Sequence, residues 1–245
     1  MDNALFVGLS RQIALRRELD ITANNLANVD TTGFKVESLM QKVDPAGPAR
    51  TLGAPNPVTF VVGDGVARDF GQGALRRTGA PFDLAVEGDG FFAVTTAEGE
   101  RYTRDGRFRL DDTGKLVTQA GQAVHGDGGG EIVIDATKGE VLIAPDGTIS
   151  QGTERVGKIA VVRFDNLSVL EKSGDNLLKN SANAQPTPAS DAIVRQGMLE
   201  SSNVKSVLEV TRLIEVSRAY EQMARMMDAE AELSRRSIER MGRIQ

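Results

Sequence analysis

A chain of 245 residues with 40% hydrophobic and 26% charged residues has the composition of a folded, soluble protein and the length for one or two domains. Its net charge of -5 offers no basic field to nucleic acid, and no stretch approaches a membrane span. With no Cys, disulfides, thiolate chemistry and thiolate metal sites are all excluded, and with no Trp and only two Tyr an aromatic-lined ligand site is disfavoured.

The chain opens on Met1 to Gly8, where Asp2 stands in place of a basic region and the apolar run Ala4 to Val7 is only four residues long. This is not the pattern of a Sec-type signal peptide. From about Asn3 to Asn25 or Leu26 the pattern predicts an amphipathic helix, with Leu5, Leu9, Leu19 and Leu26 on a 3-4 spacing. Its far end runs into Asn24, Asn25, Asn28, Thr31, Thr32 and Gly33, where short polar side chains bond to local backbone and compete with the helix. A helix-to-domain turn is expected there. Gly33 supplies a positive φ, and Gly33→Val should cost about 1 kcal/mol or more if that φ is adopted.

A short extended piece follows at 34–40. Residues 44–58 carry Pro45, Pro48, Pro55 and Pro57 and read as a surface linker. Residues 36–80 are therefore expected to form a linker and β extension, with short strands at 58–62 and 66–70. The densest strand pattern lies within 81–170, the expected central β-rich domain: Phe82 to Val86, Gly90 to Thr95, Arg101 to Thr103, Arg107 to Leu110, Leu116 to Val117, Val124, Ile132 to Ile134, Val141 to Ala144, Thr148 to Ser150 and Ile159 to Phe164. Asp105-Gly106, Thr113-Gly114 and Pro145-Asp146-Gly147 mark turns between them. The polar segment 171–196 reads as a return. A second helix is predicted from Asn203 to about Met241, with Ser202 or Asn203 as its cap and a length of about 57 Å if continuous. Its apolar residues are Leu213, Val216, Tyr220, Met223 and Met227, widened by Val207, Val210 and Ile214.

The expected fold is thus a mainly β central region carrying long N- and C-terminal α-helices that pair in a helical-bundle or coiled-coil layer, with 1–35 and 197–245 forming one terminal domain. Isolated helices of this kind are marginal, so the ends are expected to become ordered only when a partner covers them. The alternative for the same spacing is a helical hairpin packed inside one soluble domain.

No constellation points to catalysis. Asp83, Glu87 and Asp89 gather carboxylates near a strand, but Arg101, Arg104, Arg107 and Arg109 beside them suggest turn capping and solvent-facing ion pairs. His125 is the sole histidine, which makes a structural zinc site implausible. Gly126 to Gly130 lacks the Lys-Ser/Thr ending of a phosphate-binding loop. Arg235, Arg236, Arg240 and Arg243 cluster where cations favour a helix C-terminus. No cofactor or metal is expected.

Four segments carry a family resemblance: Ala23-Asn24-Asn25-Leu26-Ala27-Asn28-Val29-Asp30-Thr31-Thr32-Gly33-Phe34-Lys35, Asp83 to Phe92, Tyr102 to Phe108, and Gly197 to Val204. In this order they resemble the flagellar basal-body rod protein family, and the opening Met1-Asp2-Asn3-Ala4-Leu5 and modest length favour its proximal-rod branch over the longer distal-rod and hook proteins. Asp30 departs from the Asn or Ser common at its position. The resemblance implies a structural, non-enzymatic subunit of the bacterial flagellar rod, a torque-transmitting hollow drive shaft in the periplasm. It also implies type III flagellar export without a cleaved signal, terminal helices as the assembly elements, and partners among copies of the chain, other proximal-rod proteins, the distal-rod protein and the export apparatus. The alternatives are a distal-rod subunit, or a monomeric β-rich binding or carbohydrate-handling protein with a pocket of convergent polar and aromatic groups.

Overall fold

The structure is a computed structural model that describes residues 2–49, 58–135 and 137–242. These residues group into two compact units. The first contains the chain up to Ala27, Glu37–Asp69 and the chain from Lys205 on; the second contains Asn28–Val36 and Phe70–Val204.

In the first unit, helix α1 spans Asp2–Ala27, strand β1 Glu37–Ala49, strand β2 Val58–Arg68 and helix α2 Ser206–Gly242. β1 and β2 form an antiparallel two-stranded sheet whose register pairs Glu37 with Arg68 and Asp44 with Phe60. The stretch read as a Pro-bearing linker is therefore strand up to Ala49. Pro45 and Pro48 fall inside the irregularity between Asp44 and Ala49, where the ladder needs no N–H from them. Likewise 58–62 and 66–70 are not two short strands but one, continued to Arg68. Pro55 and Pro57 lie outside the described residues.

α1 packs against both the hairpin and α2. Asn25 meets Glu209, Glu18 meets Arg212, and Gly8 faces Met223 and Met227, so the two helices run antiparallel where they touch. This corrects the expected bundle or coiled-coil layer of long paired helices. α1 has 26 residues against 37 for α2, and the hairpin occupies part of its surface. Among the described residues no continuous apolar seam closes: Leu9 and Ile13 of α1 and Val207, Leu208, Val210, Ile214, Met226 and Leu233 of α2 are exposed. Two of the bridging contacts are polar instead.

The second unit is built on a nine-stranded antiparallel sheet. Strand Phe91–Thr96 lies at its centre, pairing with Gly99–Thr103 on one edge and with Ala123–Val124 and Val161–Arg163 on the other. Its four consecutive buried residues reflect cover on both faces. Phe92 and Val94 join Leu84, Leu116, Ile134, Ile149 and Ile159 in one core, while Phe91 and Ala93 join Tyr102, Phe164, Leu170 and Leu178 in another. A three-stranded meander of Val141–Ile143, Thr148–Gln151 and Glu154–Lys158 contributes Ile143 and Ile149 to the first core. Full burial of such side chains stabilises by about 1.5–3 kcal/mol each.

Ile132 to Ile134, expected as a strand, forms only one isolated bridge, from Val133 to Lys115, with a second from Glu131 to His125 just before it. The return segment contains strands of its own, at Leu177–Asn180 and Ile193–Gln196. Ile193–Gln196 pairs with Leu84–Glu87, and Met198–Glu200 pairs with Leu75–Arg77. The chain leaving this unit is thus laced to the chain that entered it.

Candidate functional site

The four segments singled out in the sequence meet around one carboxylate in the second unit. Glu200 sits in strand Met198–Glu200 and is fully buried. Its Oε1 accepts from Lys35 Nζ at 2.6 Å and from the Gly73 amide at 2.8 Å; its Oε2 accepts from Arg104 Nη1 at 3.1 Å. The Glu200 backbone carbonyl accepts from the Gly33 amide at 2.8 Å. Lys35 also donates to the Gly71 carbonyl, and Arg104 donates to the carbonyls of Val86 and Gly88 while its guanidinium stacks 5.2 Å over the Phe91 ring.

Burying two cations and an anion is costly, and three features offset it: close pairing, further hydrogen bonds to backbone carbonyls, and the ring face beneath Arg104. Burial pulls the Arg104 guanidinium below the ordinary arginine value, and Glu200 followed by Asp89 opposes that pull. Arg104 Nε is, among the described residues, the one buried side-chain nitrogen or oxygen without a hydrogen-bond partner. The expectation that Arg101 and Arg104 form solvent-facing pairs is corrected: both are buried. Arg101 reaches Glu98 and Ser173, whereas Arg107 does pair with Asp105 at the surface.

Of the residues assigned to the helix-to-domain turn, the structure divides two from four. Asn24 and Asn25 belong to α1; Asn28, Thr31, Thr32 and Gly33 belong to the second unit. Asn25 is buried and bonds to both backbone groups of Glu37, accepting from its N–H at 3.0 Å and donating to its carbonyl at 2.7 Å, and donates to Glu209 as well. Thr31 Oγ1 donates to Asn28 Oδ1, and the Thr32 carbonyl accepts from Asn176. Gly33 has φ 68°, and a Cβ on it would lie 2.5 Å from the Arg104 carbonyl carbon. Asn203 does not cap α2, which begins at Ser206; it accepts from the Val36 amide and donates to the Gly71 carbonyl.

The helix residues separate as sharply. Val216 is buried, and Leu19, Leu26, Leu213, Tyr220, Met223 and Met227 are half-buried, whereas Leu9 is 42% exposed. The Leu5 side chain lies outside the described residues. Beyond these, α2 leaves Val207 77%, Leu208 60% and Ile214 47% exposed, and α1 leaves Phe6 55% and Ile13 49%. Val207, Val210 and Ile214 stand at i, i+3 and i+7, hence on one face.

The carboxylates weighed for acid-base work lie in or directly beside the strand Leu84–Glu87. Glu87 is held by Arg195 at 2.7 Å, and Asp83 lies where the backbone bridges to Arg107. A cavity of about 580 Å³ is lined by Glu98, Glu100, Tyr102, Lys179 and Asn183 among others. Its one ring, Tyr102, is buried, and burial followed by the neighbouring Glu100 carboxylate pushes its hydroxyl up to about 12. His125 contacts Thr95 and Glu100. Among the described residues no group of three metal-ligating side chains gathers, and no helix is long and apolar enough to cross a membrane.

What sequence reasoning missed is the role of Lys35, Arg104 and Glu200. All three lay inside the quoted segments, yet nothing in a linear reading pairs residues 96 and 165 positions apart.

Comparison with known proteins matches residues 5–35 to the family described as Flagella basal body rod protein, residues 85–151 to Flagellar hook protein FlgE/F/G D1 domain, and residues 195–240 to Flagellar basal body rod FlgEFG protein C-terminal. The flagellar basal-body rod protein FlgF of Caulobacter vibrioides is 58% identical, with all of both chains covered. FlgF of Mesorhizobium japonicum is 36% identical over 99% of each chain, and FlgG of Bacillus subtilis is 32% identical over 95% of this chain and 97% of its own.

Proposed function

Since this chain belongs to the flagellar basal-body rod protein family and is a structural subunit of the proximal rod, we propose that it joins its neighbours through the apolar surface its helices leave uncovered. The observation that carries this reading is the exposed row Val207, Val210 and Ile214, with Leu208 beside it and Phe6, Leu9 and Ile13 on α1. Such residues sit in water at a cost that association removes, about 25 cal/mol for each Å² of apolar surface covered. The neighbours are copies of this chain and other rod proteins, added through heterologous contacts that do not close into a ring.

The location is the flagellar basal body. In this reading the periplasmic rod is the working position, reached through the flagellar type III apparatus without a cleaved signal. The absence of Cys suits passage as an unfolded chain. The protein transmits load and does no chemistry, in keeping with a structural family and with Glu87 held in an ion pair by Arg195.

The test places Leu208→Glu and Ile214→Glu together in the motile organism. Both side chains are exposed, so the isolated protein should melt within about 0.5 kcal/mol of the parent. Basal bodies should then lack the subunit, and swimming should be lost. Normal incorporation of the doubly charged chain would overturn the assignment of this face.

A further inference from the structure

The chain passes between its two units at four places: after Ala27, after Val36, after Asp69 and after Val204. Three of these crossings are tied to one another inside the second unit, within a few residues of where they leave it. Lys35 Nζ bonds to both Glu200 Oε1 and the Gly71 carbonyl. The Val36 amide donates to Asn203 Oδ1 at 2.8 Å, and Asn203 Nδ2 donates to the Gly71 carbonyl at 3.1 Å. The Asn203 amide bonds to the Phe34 carbonyl, and the Gly73 amide bonds to Glu200 Oε1. The segment that follows the remaining crossing, 28–33, reaches the same place through the Gly33 amide on the Glu200 carbonyl.

The geometry points to Glu200, with Lys35 and Arg104, as a clasp that makes four separate chain crossings behave as one mechanical connection. A single polypeptide crossing swivels about its φ and ψ; four crossings bound together at one end cannot rotate independently. The carboxylate suits the task because it accepts from three donors on three different segments at once: Lys35, Gly73 and Arg104. These charges are nearly inaccessible, the side chains of Lys35, Arg104 and Glu200 being 6%, 4% and 1% exposed, so water does not compete for them. An apolar replacement of the same volume would pack without tying the segments together. The positional role is thus distinct from ordinary core filling. Its mechanical meaning rests on the rod reading, but its existence does not.

Hydrogen exchange of the full chain in solution separates the two. In Glu200→Gln, which keeps the volume and removes the charge, the amides of Gly33, Val36, Gly73 and Asn203 should exchange on the order of 100-fold faster, the factor expected when one partner of a buried ion pair is removed. The amides of Leu116, Ile134 and Ile159, bonded within the core of the same unit, should keep their protection. Lys35→Met, which leaves the Glu200–Arg104 pair in place, should loosen Gly33 and Val36 with a smaller change and decides the question if Glu200→Gln does not fold. Unchanged exchange at the four reporter amides, or an equal acceleration of reporters and core, would overturn the clasp and leave the rod assignment standing. Normal incorporation of the doubly charged α2 variant would instead overturn the docking face and leave the clasp standing.

Discussion

Gly33→Ala measures how closely two of the chain's segments are pressed together. The substitution adds one methyl group to a residue at φ 68°, whose new Cβ would meet the Arg104 carbonyl carbon at 2.5 Å, the Asp105 nitrogen at 2.6 Å and the Arg104 oxygen at 2.7 Å. Two costs add. Holding an L-residue in the left-handed region takes about 1–2 kcal/mol, and forcing backbone apart to admit an extra methyl takes about 1–3 kcal/mol. The sum is a loss of about 2–5 kcal/mol. Gly79→Ala supplies the control, because Gly79 has φ 77° and nothing within 4 Å of its added Cβ, so only the first cost applies. Urea unfolding followed by the fluorescence of Tyr102, in a Tyr220→Phe background, reports on the second unit alone. The Gly33 variant should fall short of the Gly79 variant by about 1–3 kcal/mol at constant m. Equal losses in the two variants would show that the contact with Arg104 and Asp105 yields freely and would refute the tight packing of Gly33 against them.

The same single-tyrosine background gives a pH prediction. Since Tyr102 is shifted from its ordinary value of 10 to about 12 by burial and by Glu100, its 295 nm absorbance should titrate near 12 in the folded chain, and a midpoint near 10 would refute the assigned environment. A raised folded-state value means that the protonated form is the one stabilised, so this contribution is complete below pH 10, is lost as pH rises towards 12, and is at most about 3 kcal/mol. In the first unit, Asn25→Leu removes one acceptor and two donations, leaving the Glu37 amide and carbonyl without their side-chain partner. Thermal melting should show a loss of about 1–3 kcal/mol, and a neutral result would mean that the Glu37 groups find other partners.

Much of the second unit was legible because its signals are local. Phe91–Thr96 is an apolar run of strand length, and the turns at Asp111 and Asp146 announce themselves through side chains that accept from amides two residues on. Strands such as Glu154–Lys158 and Ile193–Gln196 were not legible, since half or more of their residues are polar and what makes them strands is an edge waiting in the sheet. β1 escaped for the opposite reason. Its prolines argue against a strand in general, and only the pairing register shows that they fall where the ladder is already broken. The helices were placed within a few residues, but their periodicity did not say what would cover them. An apolar stripe encodes a demand for cover and leaves open whether a hairpin, another helix or a neighbouring subunit meets it.

The cluster around Glu200 shows why recognising a segment differs from understanding it. Charged residues lie at the surface by default, and Arg104, Lys35 and Glu200 each conform to that default when taken singly. Their burial follows from being brought together: any one of them alone in this interior would be an uncompensated charge, whereas the three with their backbone partners form a nearly complete set. Gly33 obeys the same logic, for its amide reaches the Glu200 carbonyl while its lack of a Cβ leaves room for the backbone of Arg104 and Asp105. Sequence segments that look like separate local motifs are here the several sides of one contact, and each segment's residues are explained by groups on the others.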